Sequence, residues 1–157
     1  MELVKFWKNK NVLVTGHNGF KGSWLSSTLL KLGANVTGIS LADLTNPSMY
    51  ASLDLNNKVN NINLNIEDYG SLNSAIKDVN PEIVFHLAAQ PLVGESYKFP
   101  RSTFNSNTMG TLNILECIRE NTNIRSSVIV TSDKCYLNQD SKIGYVEDDK
   151  LGGHDPY

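Results

Sequence analysis

Apolar and polar positions along the chain follow two alternating rhythms. Five short stretches read as strands: 11–15, 82–87 and 126–131 are built on apolar runs, 35–39 is a fourth, and 61–66 alternates asparagine with apolar residues. Helical patterns stand between them. Leu25, Leu29 and Leu32 recur at i, i+4 and i+7, which predicts a helix over 21–32 with Gly33 as its C-cap. Tyr69, Leu72, Ile76 and Val79 mark another helix, and Pro81 closes its connection. Phe104, Thr111, Ile114, Leu115 and Ile118 share one face of a long helix over 100–120, with Asn107 on the same face. Residues 41–55 read as a loop with a short helix near Met49. Residues 1–10 read as a lead-in whose Phe6 and Trp7 cover a sheet edge. Strands alternating with helices predict an α/β fold with five parallel strands ordered 3-2-1-4-5.

The first strand runs into Gly16-His17-Asn18-Gly19-Phe20-Lys21-Gly22 and then into the first helix. Strand, tight glycine turn and helix, in that order, are what a dinucleotide pyrophosphate requires. Gly16 permits a sharp turn, Gly19 lets backbone N–H groups approach phosphate oxygens, and Gly22 lets the helix pack close to the strand. The helix start adds unpaired N–H donors and a positive dipole end. The fold class expected is a Rossmann-type doubly wound parallel sheet, cut off after its fifth strand, and the ligand expected is NAD or NADP. An acid at the end of the second strand often holds the adenosine ribose. Here that position is Ser40, with Asp43 three residues on, so the residues leave the choice of dinucleotide open.

Composition narrows the picture without redirecting it. At 157 residues, 40% apolar and 19% charged, the chain suits one globular domain. A net charge of −2 favours neither nucleic acid nor a membrane surface. No apolar run reaches the length of a membrane span, and residues 1–10 lack a signal-peptide core. Cys117 and Cys135 match no metal-ligand spacing and read as free thiols of a reducing, cytoplasmic setting. The three histidines form no ligand cluster, so no metal is expected. His86, inside a strand, reads as a core imidazole.

The spacing of glycines 16, 19 and 22 is G-x-x-G-x-x-G, which resembles the extended short-chain dehydrogenase/reductase superfamily. Phe20-Lys21-Gly22-Ser23-Trp24-Leu25 is similar to the CDP-glucose 4,6-dehydratase branch, as is Gly152-Gly153-His154-Asp155-Pro156-Tyr157. The resemblance implies NAD as cofactor and CDP-glucose as substrate. It also implies a homodimer for the full-length protein and a place in polysaccharide and O-antigen biosynthesis. It assigns Asn18, Phe20, Lys21, Ser40, Asn65, Ile66, Leu87, Ala88, Ala89, Gln90, Asn107 and Thr131 to the cofactor side with the glycines. Asn65-Ile66 would reach the adenine and 87–90 the nicotinamide ribose, while Asn107 would bridge to neighbouring backbone.

Thr131-Ser132-Asp133-Lys134 ends the fifth strand, where ligands of open parallel sheets lie. Tyr157 follows Ser132 at the distance found in the superfamily. By that resemblance Tyr157 takes the proton of the sugar 4-hydroxyl as C4 is oxidised, and Ser132 bonds the same oxygen. Lys134 then removes the C5 proton and Asp133 protonates the departing 6-hydroxyl. An unperturbed phenol, with a pKa of about 10, needs a nearby cation for such work. Lys134 stands where dTDP-glucose dehydratases carry Glu, which points the substrate toward CDP-glucose. The resemblance covers about the first half of a typical member. The sugar-binding part and the Lys that follows the Tyr would lie beyond 157, and the isolated 157-residue chain is expected to lack turnover. The alternatives are another sugar-nucleotide epimerase or dehydratase, or a non-catalytic dinucleotide-binding fragment.

Overall fold

β1 (Asn11–Thr15) is the strand on which the fold is built. Its side chains alternate between faces, and each face has a core of its own. Val12 and Val14 pack with Leu29, Val36, Tyr50, Leu55 and Ile83 on one side. Leu13 packs with Ile39, Leu72, Ile76, Val84 and Ile114 on the other. The structure, a computed structural model, describes residues 2–42, 46–140 and 142–157.

One sheet holds β1 with β2 (Asn35–Ser40), β3 (Asn60–Asn63), β4 (Ile83–His86) and β5 (Ser126–Ile129). All pairings are parallel, and the order is β3-β2-β1-β4-β5, as predicted. The carboxyl ends of all five strands therefore lie along one rim. α1 (Glu2–Trp7), α2 (Phe20–Lys31) and α3 (Met49–Ser52) contribute to the first core through Trp7, Leu29 and Tyr50. α4 (Tyr69–Val79) covers the opposite face, together with the helical stretch that follows α5 (Val93–Lys98).

That stretch departs from expectation. The single helix predicted over 100–120 is α6 (Pro100–Phe104), a π turn (Asn105–Met109) and α7 (Gly110–Glu120). A π turn adds one residue to a helical turn and rotates everything beyond it. Beyond it Gly110, Ile114 and Cys117 consequently face inward and Leu115 is exposed, while before it Thr103 is buried and Phe104 exposed.

Smaller corrections have equally local causes. α2 is buried chiefly through Gly22, Ser23, Ser26 and Leu29, so small side chains bring it close to β1, and Leu25 and Leu32 are only half-buried. Trp7 packs over a sheet face, its ring 6.2 Å from that of Phe85, while Phe6 stays exposed. β3 stops at Asn63 and β5 at Ile129, each short of its predicted end. β5 is an edge strand with Val128 exposed. Both cysteines are free thiols. Burial pushes the Cys117 thiol up to about 11, which keeps it protonated and inert. Among the described residues no helix is long and apolar enough to cross a membrane, and no group of three His, Cys, Asp or Glu residues could hold a metal ion.

Candidate functional site

The turn after β1 is tight because two positions leave no room for a side chain. Gly16 has φ +68°, and a Cβ there would lie 2.7 Å from the Ala88 nitrogen. A Cβ on Gly22 would lie 2.1 Å from the Gly16 carbonyl oxygen. The Gly16 N–H donates to Ile39 O at 2.8 Å and the Gly19 N–H to Gly16 O at 3.1 Å, so the turn is closed against β2 and against itself. Gly19 is the N-cap of α2; no side chain caps that end, and its first turn holds no acid. Phe20 and Lys21, both exposed, lie in that turn. A lysine at the positive end of a helix opposes the dipole. A diphosphate seated on the N–H groups would reverse that penalty, so the residues fit a dinucleotide's pyrophosphate.

On the β2 side, Asn18 Nδ2 donates to Leu41 O at 2.7 Å and fastens the turn to the exit of β2. Ser40 is the last, buried residue of that strand. Asp43 lies outside the described residues. Asn65 and Ile66 stand beyond β3 and not within it. Asn65 Oδ1 accepts from the Glu67 N–H at 3.0 Å, which turns the chain toward α4, and Ile66 is buried in the second core.

Between β4 and α7 runs a chain of hydrogen bonds that the sequence did not announce. The Leu87 and Ala88 N–H groups both donate to Thr15 Oγ1 at 3.2 Å. The Thr15 hydroxyl lies 2.6 Å from His86 Nδ1, and His86 Nε2 lies 3.0 Å from Thr111 Oγ1. The Thr111 hydroxyl donates to Asn107 O at 2.7 Å. With its one proton committed there, Thr111 can only accept from the ring. His86 therefore carries its proton on Nε2 and accepts at Nδ1 from Thr15. Burial lowers its pKa to about 4. Asn107 continues the chain to Gln90, whose side chain reaches Thr103 at 3.0 Å. Leu87, Ala88 and Gln90 thus form a fixed turn beside Gly16, and Ala89 is exposed at its tip.

At the end of β5, the Val130 N–H donates to His86 O at 3.0 Å, holding the segment alongside β4. Thr131 is exposed and Ser132 half-buried. Ser132 Oγ accepts from the Lys134 N–H at 3.2 Å and so caps the short turn Asp133–Cys135. Lys134 Nζ lies 3.0 Å from Asp155 Oδ2, and the Tyr157 N–H donates to Asp155 Oδ1 at 3.0 Å. One carboxylate thereby joins the segment carrying Lys134 to the segment carrying Tyr157. The same ion pair raises the Lys134 pKa and keeps the side chain charged. Asp155 was missed as a contributor because its partner is distant in sequence; the resemblance around 152–157 was the only available signal.

A glycine turn, a helix start and a set of hydroxyl, carboxylate and amine groups on one rim of a parallel sheet define a Rossmann-type dinucleotide-binding fold of the short-chain dehydrogenase/reductase kind. The family model described as GDP-mannose 4,6 dehydratase matches residues 13–157, and the chain belongs to that family. It is 47% identical over 152 residues to a CDP-glucose 4,6-dehydratase of Salmonella typhimurium, an alignment that takes in 97% of this chain and 42% of that protein. An epimerase from Methanothermobacter thermautotrophicus superposes with a TM-score of 0.85 at 30% identity, covering 100% of this chain and 46% of that one. A UDP-glucose-4-epimerase from Stenotrophomonas maltophila, solved with bound NAD and formylated UDP-arabinopyranose, gives a TM-score of 0.80 at 26% identity over 95% of this chain and 44% of its own. The chain thus spans less than half the length of these relatives.

Proposed function

We propose that this chain is the cofactor-binding part of an NAD-dependent dehydratase that converts CDP-glucose to CDP-4-keto-6-deoxyglucose. The observation that carries the reading is the shared rim: the glycine turn after β1 and the Ser132-Asp133-Lys134 segment after β5 open on the same edge of one sheet. The 47% identity to a CDP-glucose 4,6-dehydratase supports the choice of substrate.

The turn residues Gly16, Asn18, Gly19, Phe20, Lys21 and Gly22 would hold the pyrophosphate. Ser40, Asn65 and Ile66 would lie toward the adenosine. Leu87, Ala88, Ala89, Gln90, Asn107 and Thr131 would border the nicotinamide end. A bound nicotinamide supplies temporary oxidation at sugar C4 and returns the reducing equivalent at C6. Tyr157 takes the 4-hydroxyl proton while Ser132 bonds that oxygen. Asp133 delivers a proton to the departing 6-hydroxyl. Lys134 takes the proton from C5 and returns it to C5 when the reducing equivalent reaches C6; for this its amine must leave Asp155 and give up a proton, since an ammonium has no lone pair to offer. The resemblance to the CDP-glucose 4,6-dehydratase branch further leads us to take the working protein as a cytoplasmic homodimer.

The test uses protein made from the complete reading frame, supplied with NAD and, separately, CDP-glucose, UDP-glucose and GDP-mannose. A 4-keto-6-deoxy product from CDP-glucose alone supports the proposal. Inversion at C4 with retention of the 6-hydroxyl would replace it with an epimerase, a reading that the epimerase neighbours favour.

A further inference from the structure

His17 stands between Gly16 and Asn18 in the phosphate turn, yet its side chain is turned inward and only 3% exposed. The ring lies against β2, where a Cβ on Gly38 would come within 2.2 Å of it. It stands edge to face with the ring of Tyr50 in α3, with centroids 5.2 Å apart and planes at 83°. Nε2 lies 2.7 Å from Asn61 Oδ1 on β3. The orientation of that amide is fixed, because Asn61 Nδ2 donates to Asn56 O at 3.2 Å and to Val59 O at 3.0 Å. Its oxygen must therefore face the ring, and His17 Nε2 must be the donor. The Tyr50 hydroxyl donates to the same oxygen.

We propose that His17 is the positioning residue that locks the phosphate turn to the adenosine half of the sheet, through Asn61 and Tyr50, and so sets affinity for the ADP moiety of the dinucleotide. The inference rests on the dinucleotide reading above. Two consecutive side chains of the turn grip the same side: Asn18 takes the exit of β2 and His17 takes β3. The adenosine of a dinucleotide lies beyond the ends of these strands. The turn and the shelf under the adenosine consequently move as one body. The donor on Nε2 carries the function, and the bulk of the ring does not suffice. This explains why β2 carries glycine at 38 in the middle of a buried strand: any side chain there would displace the imidazole.

The test compares wild type with His17→Leu, which keeps an apolar side chain but removes the donor, and His17→Gln, which restores an N–H donor at similar reach. Titration calorimetry with NAD and with ADP reads affinity, and thermal unfolding reads the fold. His17→Leu is expected to weaken both ligands together by about tenfold, and His17→Gln to recover most of that loss. Tyr50→Phe combined with His17→Leu adds little, since both act through Asn61. Nitrogen-15 NMR of the wild-type imidazole is expected to show the proton on Nε2. A folded His17→Leu that binds ADP like wild type overturns the proposal, as does a proton found on Nδ1. Wild-type protein that binds neither NAD nor ADP overturns the dinucleotide reading itself, a result separable from the other two.

Discussion

Asn107 pairs with Gln90 the way one β-strand residue pairs with another: its Oδ1 accepts from the Gln90 N–H at 2.7 Å and its Nδ2 donates to the Gln90 carbonyl at 3.1 Å. The side chain does so from inside the π turn, where the widened helix directs it at the segment after β4. Asn107→Ala leaves both backbone groups without these partners. A half-buried pair of this kind is worth roughly 1–3 kcal/mol, and urea unfolding is expected to show a loss in that range. Asn107→Asp should not rescue it, because a carboxylate would face the Gln90 carbonyl. Stability unchanged in Asn107→Ala would mean that water replaces the amide without cost.

His86 makes stability depend on pH between the histidine and carboxylate ranges. Burial holds its folded pKa near 4, against 6.5 when unfolded, so the unfolded chain binds a proton that the folded one refuses. Stability is then complete above about pH 6.5 and falls as the pH drops toward 4, by roughly 3 kcal/mol in all. The Glu82 carboxyl, held below its usual value first by the Lys10 hydrogen bond, adds its own loss only under its ordinary value of 4.5. Unfolding free energies at pH 7.5, 6 and 5 should therefore decline before any carboxylate titrates. In His86→Gln that slope should flatten; a slope unchanged in the variant would assign it to another group.

The part of the fold that reads directly from sequence is the part governed by local periodicity. β1, the glycine turn, α2 and α4 lie within a residue or so of their predicted bounds because their buried faces repeat at fixed intervals. The π turn escaped because one extra residue in a helix has no compositional mark; it shows only in which side chains end up buried. β3 looked longer because Leu64 and Ile66 continue the alternation of Ile62. Those side chains do face the second core, but the last backbone bond to β2 is from the Leu64 N–H to Ser40 O at 3.0 Å, and the chain then turns away at Asn65. No apolar pattern predicts α5, which follows Pro91 and carries Gly94 in its first turn. Within the site, residues contributed by one contiguous segment were legible: the glycines and the Ser132 to Lys134 run. Thr111, Asp155 and the inward set of His17 were not, because each is defined by a partner on another element.

Gly22→Ala separates helix propensity from packing. Alanine is favoured over glycine in a helix by about 1 kcal/mol, so propensity alone predicts a more stable protein. The geometry predicts the reverse. A Cβ at this position would stand 2.1 Å from the Gly16 carbonyl oxygen and 2.7 Å from the His17 Cα. Both are backbone atoms, so neither can rotate aside, and the helix must move off β1 or the turn must open. Overpacking of this sort costs about 1–3 kcal/mol, which exceeds the propensity gain over most of its range. The same displacement moves the N–H groups that would face the pyrophosphate. The expected result is a lower unfolding midpoint together with weakened NAD binding by titration calorimetry. A variant that is more stable than wild type and binds NAD equally well would show that α2 does not need this close approach, and the tightness of the turn would lose its role in holding the ligand.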